Sequence, residues 1–147
     1  SAFQSVTMPG RFEVVSHSPL LILDGAHNPH SARALADTWR TEFPGVKPAL
    51  VFSAVAAKDI TGILAELAPL ADFIFLCPVA TPRAGAAEEL AACLPHHSPP
   101  HSLHSSFEAA FDAASAHGAP VLIAGSLFLV GEARARLTGS SWHPCTQ

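Results

Sequence analysis

The strongest constraint on this chain is a recurrence: apolar runs too short for helices alternate with segments of helical periodicity. Leu20 to Leu23 is one such run, closed by Asp24-Gly25, and S-A-R-A-L-A-D-T-W follows with Ala32, Leu35, Ala36 and Trp39 at helical spacing. Asn28 before Pro29 supplies a cap and a first-turn proline, and Phe43-Pro44-Gly45 ends the segment. Ala49 to Val55 (A-L-V-F-S-A-V), Phe73 to Leu76 and Pro120 to Ala124 (P-V-L-I-A) repeat the strand-like part. The helical part recurs as I-T-G-I-L-A-E-L-A behind a capping Asp59, as Ala86 to Leu94, as Phe107 to His117 stopped by Gly118, and as L-F-L-V-G-E-A-R-A-R-L at the end. Arg11 to Val15 (R-F-E-V-V) alternates with a period of two, and His96 to Ser106 reads as a loop with a short edge strand. Runs apolar on both faces are buried on both. The pattern therefore predicts βαβ units and an α/β fold: three layers, with helices flanking a mostly parallel sheet.

Composition agrees and excludes several classes. A chain of 147 residues is one domain by length, and 49% hydrophobic residues against 14% charged ones indicate a folded core. Net charge is −4 and the eight basic residues are scattered, so nothing neutralises a nucleic-acid backbone. No apolar stretch approaches the ~20 residues that span a bilayer, and no secretory leader is visible at the start. Cys77, Cys93 and Cys145 are odd in number and far apart, which argues for free thiols in a reducing cytoplasm. The start at Ser1, without methionine, fits a processed chain or a piece of a longer one.

Open α/β sheets bind ligands beyond the carboxyl ends of their strands. Three stretches are predicted to converge there: Asp24-Gly25-Ala26-His27-Asn28, Ser53 to Asp59 (S-A-V-A-A-K-D), and Gly125-Ser126. The first has two readings. Asp24 can accept from ribose hydroxyls while amides near Pro29 to Ser31 and the His27 ring favour an anion; or Asp24 and Asn28 simply hold turn amides. Lys58 is the lone cation of the second stretch, able to meet a carboxylate or to stay solvated beside a capping Asp59. Gly125-Ser126 offers an amide and a hydroxyl at a helix start, either an anion seat or an ordinary turn. Of the histidine-rich loop, His96, His97, His101 and His104 lack helical i, i+4 spacing and acidic or cysteine neighbours, so no metal is assigned. Asp37, Glu42, Glu88 and Glu89 fall on helices, as exposed faces. G-x-x-x-x-G-K-[ST], G-x-S-x-G and G-x-G-x-x-G are all missing. The chain offers seats for anions but no phosphate cradle, nucleophile or general base, which is half of an active site.

P-G-R-F-E-V-V at 9 to 15 followed by L-I-L-D-G-A-H-N-P-H-S-A-R-A-L at 21 to 35 resembles the C-terminal domain of folylpolyglutamate synthase/dihydrofolate synthase, in the Mur ligase superfamily. The resemblance continues through A-A-K-D-I, T-P-R-A, A-E-E-L and G-S-L-F-L-V-G-E, in the family's order over nearly the whole chain. It implies that residues 1–147 form a Rossmann-like C-terminal domain whose ATPase and folate-binding partner domain lies N-terminal to it, outside this chain. It also implies an activity: ATP phosphorylates a pteroate or folate carboxylate, and the L-glutamate amine attacks the acyl phosphate to form an amide. Carried over residue by residue, Arg11, Asp24 and His27 would contact ATP, while Lys58 and Ser126 would help to hold glutamate. Magnesium would be bound by the N-terminal domain. The family often has tyrosine where Phe128 stands, so any hydroxyl role there is absent. On this reading the chain alone is inactive, and its partners are ATP, L-glutamate, dihydropteroate or folate, and its own N-terminal domain. A stand-alone, non-catalytic nucleotide- or amino-acid-binding module is the alternative, and a metal-binding protein using the histidine loop is a more distant one.

Overall fold

The computed structural model describes residues 11–55, 59–79 and 86–138. Within them, β1 (Glu13–His17), β2 (Leu20–Asp24), β3 (Ala49–Phe52), β4 (Phe73–Leu76), β5 (His101–Leu103) and β6 (Val121–Ala124) form one sheet in the order β1-β2-β6-β3-β4-β5. Only β1 runs antiparallel, against β2; every other pairing is parallel. The helices are α1 (Pro29–Glu42), α2 (Ile60–Leu67), α3 (Ala87–Ala91), α4 (Phe107–His117) and α5 (Leu127–Thr138).

Alternate residues of each central strand serve opposite layers. Ile22, Leu50, Phe52, Ile74, Leu76 and Leu122 pack with α1, α2 and α3 through Leu35, Trp39, Ile63, Leu64 and Leu90. Leu21, Leu23, Val51, Phe75 and Ile123 pack with α4 and α5 through Phe107, Ala110, Leu129 and Ala133. This is the doubly apolar strand pattern made three-dimensional, and the expected three-layer α/β fold results.

Three predicted boundaries move, each for a local reason. The first strand begins at Glu13 and not at Arg11, because Phe12 has a left-handed backbone (φ 43°) that cannot pair in a strand. β3 ends at Phe52, short of Val55, because its neighbour β6 stops at Ala124; Ser53 still donates to the Ala124 carbonyl at 3.4 Å. The helix read over Ala86 to Leu94 is regular only to Ala91. Cys93 and Leu94 then donate to Leu90 and Ala91, three residues back, and Pro95 disfavours helical geometry at Leu94.

The order of connections creates the place that matters. β2 and β3 are each followed by a helix on one face, whereas β6, inserted between them, is followed by α5 on the other. Helices leaving adjacent strands on opposite faces open a crevice at the carboxyl ends of those strands.

Candidate functional site

The register sets Asp24, Ala124 and Phe52 side by side at the ends of β2, β6 and β3. The expected convergence of three stretches is therefore met: 24–28, 53–55 with Asp59, and 125–126 leave adjacent strands. Lys58, with 56 and 57, lies outside the described residues.

At the β2 end, Asp24 is only 7% exposed. Its Oδ1 accepts from the Ala26 amide and its Oδ2 from the Phe12 amide, both at 2.8 Å. Burial raises its pKa above the ordinary 3.8; the two amides, and then the charges of Arg11 and His27, pull the other way. Arg11, itself exposed, and His27 are thus both close enough to act on this carboxyl. The His27 ring is fixed by a 2.9 Å contact from Nδ1 to the Gly25 carbonyl, where Nδ1–H donates and Nε2 becomes the acceptor of the neutral ring. Asn28 caps α1 as expected: its Oδ1 accepts from the Ser31 amide at 2.7 Å. Ser31 Oγ returns the favour by accepting from the Asn28 and His27 amides, at 3.2 and 3.0 Å. The turn reading is met, for the stretch is a capped turn, and the same turn groups Arg11, Asp24 and His27.

The β6 end is built by close backbone approach. Gly125 has φ 115°, and a Cβ there would sit 1.9 Å from the Ser53 carbonyl oxygen and 2.8 Å from the Phe52 ring. Ser126 is buried at 5% exposure; its Oγ accepts from the Phe128 amide at 3.0 Å and its carbonyl from Val130 at 3.1 Å, so it caps α5. Leu127, next along, is 60% exposed at the same edge. Ser53 Oγ is fully buried and has no hydrogen-bond partner among the described residues. Asp59 caps α2 through the Gly62 amide at 2.9 Å, the structural role weighed for it. At the β4 end, burial, with Glu132 nearby, pushes the Cys77 thiol up to about 12, so it is no nucleophile at neutral pH.

Three contributors escaped the sequence reading. Ser31 was findable, since Asn28 and Ser31 have capping-box spacing. Ser53 lay in a stretch already singled out, but no pattern marks a buried, unpartnered hydroxyl. Phe12 had no local signal, because its role depends on Asp24, twelve residues away. Among the described residues no three His, Cys, Asp or Glu side chains are grouped so as to hold a metal ion, and no helix is long and apolar enough to cross a membrane.

A three-layer α/β domain with a switch in connection order at β6 is of the doubly wound class. The chain belongs to a family within that class: the family model for the Mur ligase, glutamate ligase domain matches residues 10–127. A probable bifunctional folylpolyglutamate synthase/dihydropteroate synthase of Halobacterium salinarum is 39% identical over 140 residues, covering 92% of this chain and 17% of that protein. Of solved structures, Escherichia coli FolC in complex with DHPP and ADP superposes with a TM-score of 0.80 at 33% identity, covering 92% of this chain and 32% of that one. A bifunctional folylpolyglutamate synthase/dihydrofolate synthase with Mn, AMPPNP and L-glutamate bound superposes at 0.77 with 37% identity, covering 90% and 32%. The chain spans about a third or less of the length of the curated relatives that it matches.

Proposed function

We propose that this chain is the C-terminal domain of an ATP-dependent amide ligase that adds L-glutamate to dihydropteroate, to (poly)glutamylated folate, or to both. The observation that carries the reading is the grouping of Arg11, Asp24 and His27 at one end of β2, one strand from the Ser126 cap of α5. In the reaction, the γ-phosphoryl group of ATP passes to a carboxylate oxygen and ADP departs. The glutamate nitrogen then attacks the acyl carbon, phosphate leaves, and the nitrogen loses a proton.

Each residue has a part that its geometry suits. The Arg11 guanidinium is exposed and permanently charged, and donates to ATP phosphate oxygens. Asp24 holds one amide on each oxygen and keeps further lone pairs for ribose hydroxyls. His27, its Nδ1–H committed to Gly25, binds the phosphates or the incoming glutamate through Nε2 with that nitrogen also carrying a proton, so that it donates. Ser126 and the first turn of α5 seat the glutamate carboxylate, with Lys58 adding a point charge. The reading assigns magnesium to the N-terminal domain, together with the phosphate loop and folate site. Closure of the two domains would exclude water from the acyl phosphate.

The test compares the complete gene product with residues 1–147 alone, using ATP, L-glutamate and dihydropteroate. Ligation is expected only from the complete protein, with Arg11→Ala and Asp24→Ala each raising the KM for ATP about tenfold, the loss of one charge-assisted contact. Turnover by the 147-residue chain would overturn the division of the site, and unchanged KM and kcat in both variants would overturn the nucleotide assignment.

A further inference from the structure

We propose that Phe12 is a positioning residue for Arg11, holding the guanidinium at the β2 end through a left-handed backbone locked onto Asp24. The inference rests on the reading of Arg11 as a nucleotide contact and adds to it how an exposed arginine at a chain entry is aimed.

Phe12 has φ 43°, and among the described residues it is the one non-glycine with positive φ. That conformation is costly for an L-residue and persists only where its surroundings over-determine it. Here they do so from three sides. The Phe12 amide donates to Asp24 Oδ2 at 2.8 Å. Its ring is buried, stacked on Phe43 with centroids 6.1 Å apart and edge-on to Trp39 at 6.3 Å, and Trp39 is itself pinned by Nε1 donating to the Val46 carbonyl at 2.8 Å. The following residue, Glu13, opens β1 opposite Leu23 and takes a two-pronged contact from Arg134 of α5. With the Phe12 ring and Glu13 fixed, the φ of Phe12 sets the direction of the peptide that joins it to Arg11. An extended φ at residue 12 would swing Arg11 away and would take from a buried carboxylate one of its two amide donors.

Phe12→Ile and Phe12→Leu separate the backbone from the packing. Both keep an apolar side chain, but a β-branched residue resists positive φ far more than leucine does. In the complete gene product, Arg11→Ala and Phe12→Ile should each raise the KM for ATP about tenfold. The double variant should be no worse than Arg11→Ala within twofold, since one contact is lost once. Phe12→Leu should stay within about threefold of wild type, and the KM for glutamate should move less than twofold throughout. Multiplying effects in the double variant, a Leu variant as poor as the Ile one, or a silent Phe12→Ile would each overturn the inference while leaving Arg11 as a nucleotide contact. A silent Arg11→Ala would overturn that reading and the inference with it. Should Phe12→Ile not fold, amide exchange in the unmutated protein decides: a protected Phe12 amide is expected, and an amide exchanging as fast as a free loop overturns the proposal.

Discussion

Two regions of the sheet contain histidines, one at the carboxyl end of β2 and one that runs into the amino end of the edge strand β5, and they are built in opposite ways. At the β2 end, one histidine sits in a turn where nearly every polar atom has a structural partner: Asp24 on two amides, His27 on Gly25, Asn28 and Ser31 on each other. Along the β5 edge, four histidines crowd residues 96–104, yet His96, His97 and His101 are exposed, and the closest pair merely packs ring against ring at 4.8 Å. Among the described residues, His104 is the one of the four with a side-chain hydrogen bond, 2.7 Å from its Nε2 to Ser102 Oγ. Abundance of a ligand-type residue marks neither a site nor its absence. What distinguishes the β2 end is preorganisation, with side chains oriented by backbone groups of rigid strands and helix starts.

The comparison breaks most sharply at the strand that completes the ordered edge. Gly125 and Gly118 both have positive φ, 115° and 92°, but a Cβ at Gly118 meets nothing within 4 Å, whereas one at Gly125 strikes the Ser53 carbonyl. Gly125→Ala should therefore destabilise the fold by on the order of 3 kcal/mol, from backbone strain and overpacking together. Gly118→Ala should cost about 1 to 2 kcal/mol, the strain alone. Urea denaturation of the two variants measures the difference. Equal losses would mean that the β6 and β3 ends are not in backbone contact and that the edge is looser than described.

A smaller effect should follow pH. Asp24 is held with a raised pKa because burial outweighs its amides and the Arg11 and His27 charges. A folded pKa above the unfolded 3.8 means that the folded state binds this proton more tightly. The stability this contributes is fully present below about pH 3.8 and is lost as pH rises through the folded value. Asp24→Asn removes the titration and sets an NH2 against one of two amide donors, costing about 1 to 3 kcal/mol. The gap between wild type and Asp24→Asn should accordingly be widest in acid and narrow towards neutral pH. Denaturation curves from pH 3.5 to 7 test the sign, and a gap that widens with pH would show that the amides and neighbouring charges outweigh burial.

Much of this was legible in the sequence for a physical reason: the features that were read are local. The runs at Leu20, Phe73 and Pro120 are strands because they are apolar on both faces, and Asn28, Asp59 and Gly118 mark helix ends because caps act within three or four residues. The grouping of three strand ends also followed, since connection rules in parallel sheets leave few alternatives. What escaped depends on contacts distant in sequence. Arg11 to Val15 looked like a strand from its first residue because nothing local says that the Phe12 amide will find Asp24. Ala49 to Val55 looked long because its length is set by β6, whose residues pair with it from 72 positions later. Asp24 was weighed as either a ribose contact or a turn ligand, and the chain gave no hint that it would bind a second segment as well.

The smallest predicted effect lies at the β5 edge, and its smallness is the informative part. His96→Ala/His97→Ala removes two exposed rings that touch chiefly each other, so stability should change by less than about 0.5 kcal/mol. ATP affinity in the complete gene product should stay within twofold, because the β5 edge lies beyond β3 and β4 from the β6 crevice. Zinc or nickel should not bind stoichiometrically to the parent chain, since no third histidine, cysteine or carboxylate among the described residues is grouped with the pair. His27→Ala in the same assays should move ATP binding while leaving metal uptake untouched. Tight stoichiometric uptake that disappears in the double variant would reverse the contrast, because metal would then organise at the β5 edge what backbone amides organise at the β2 end.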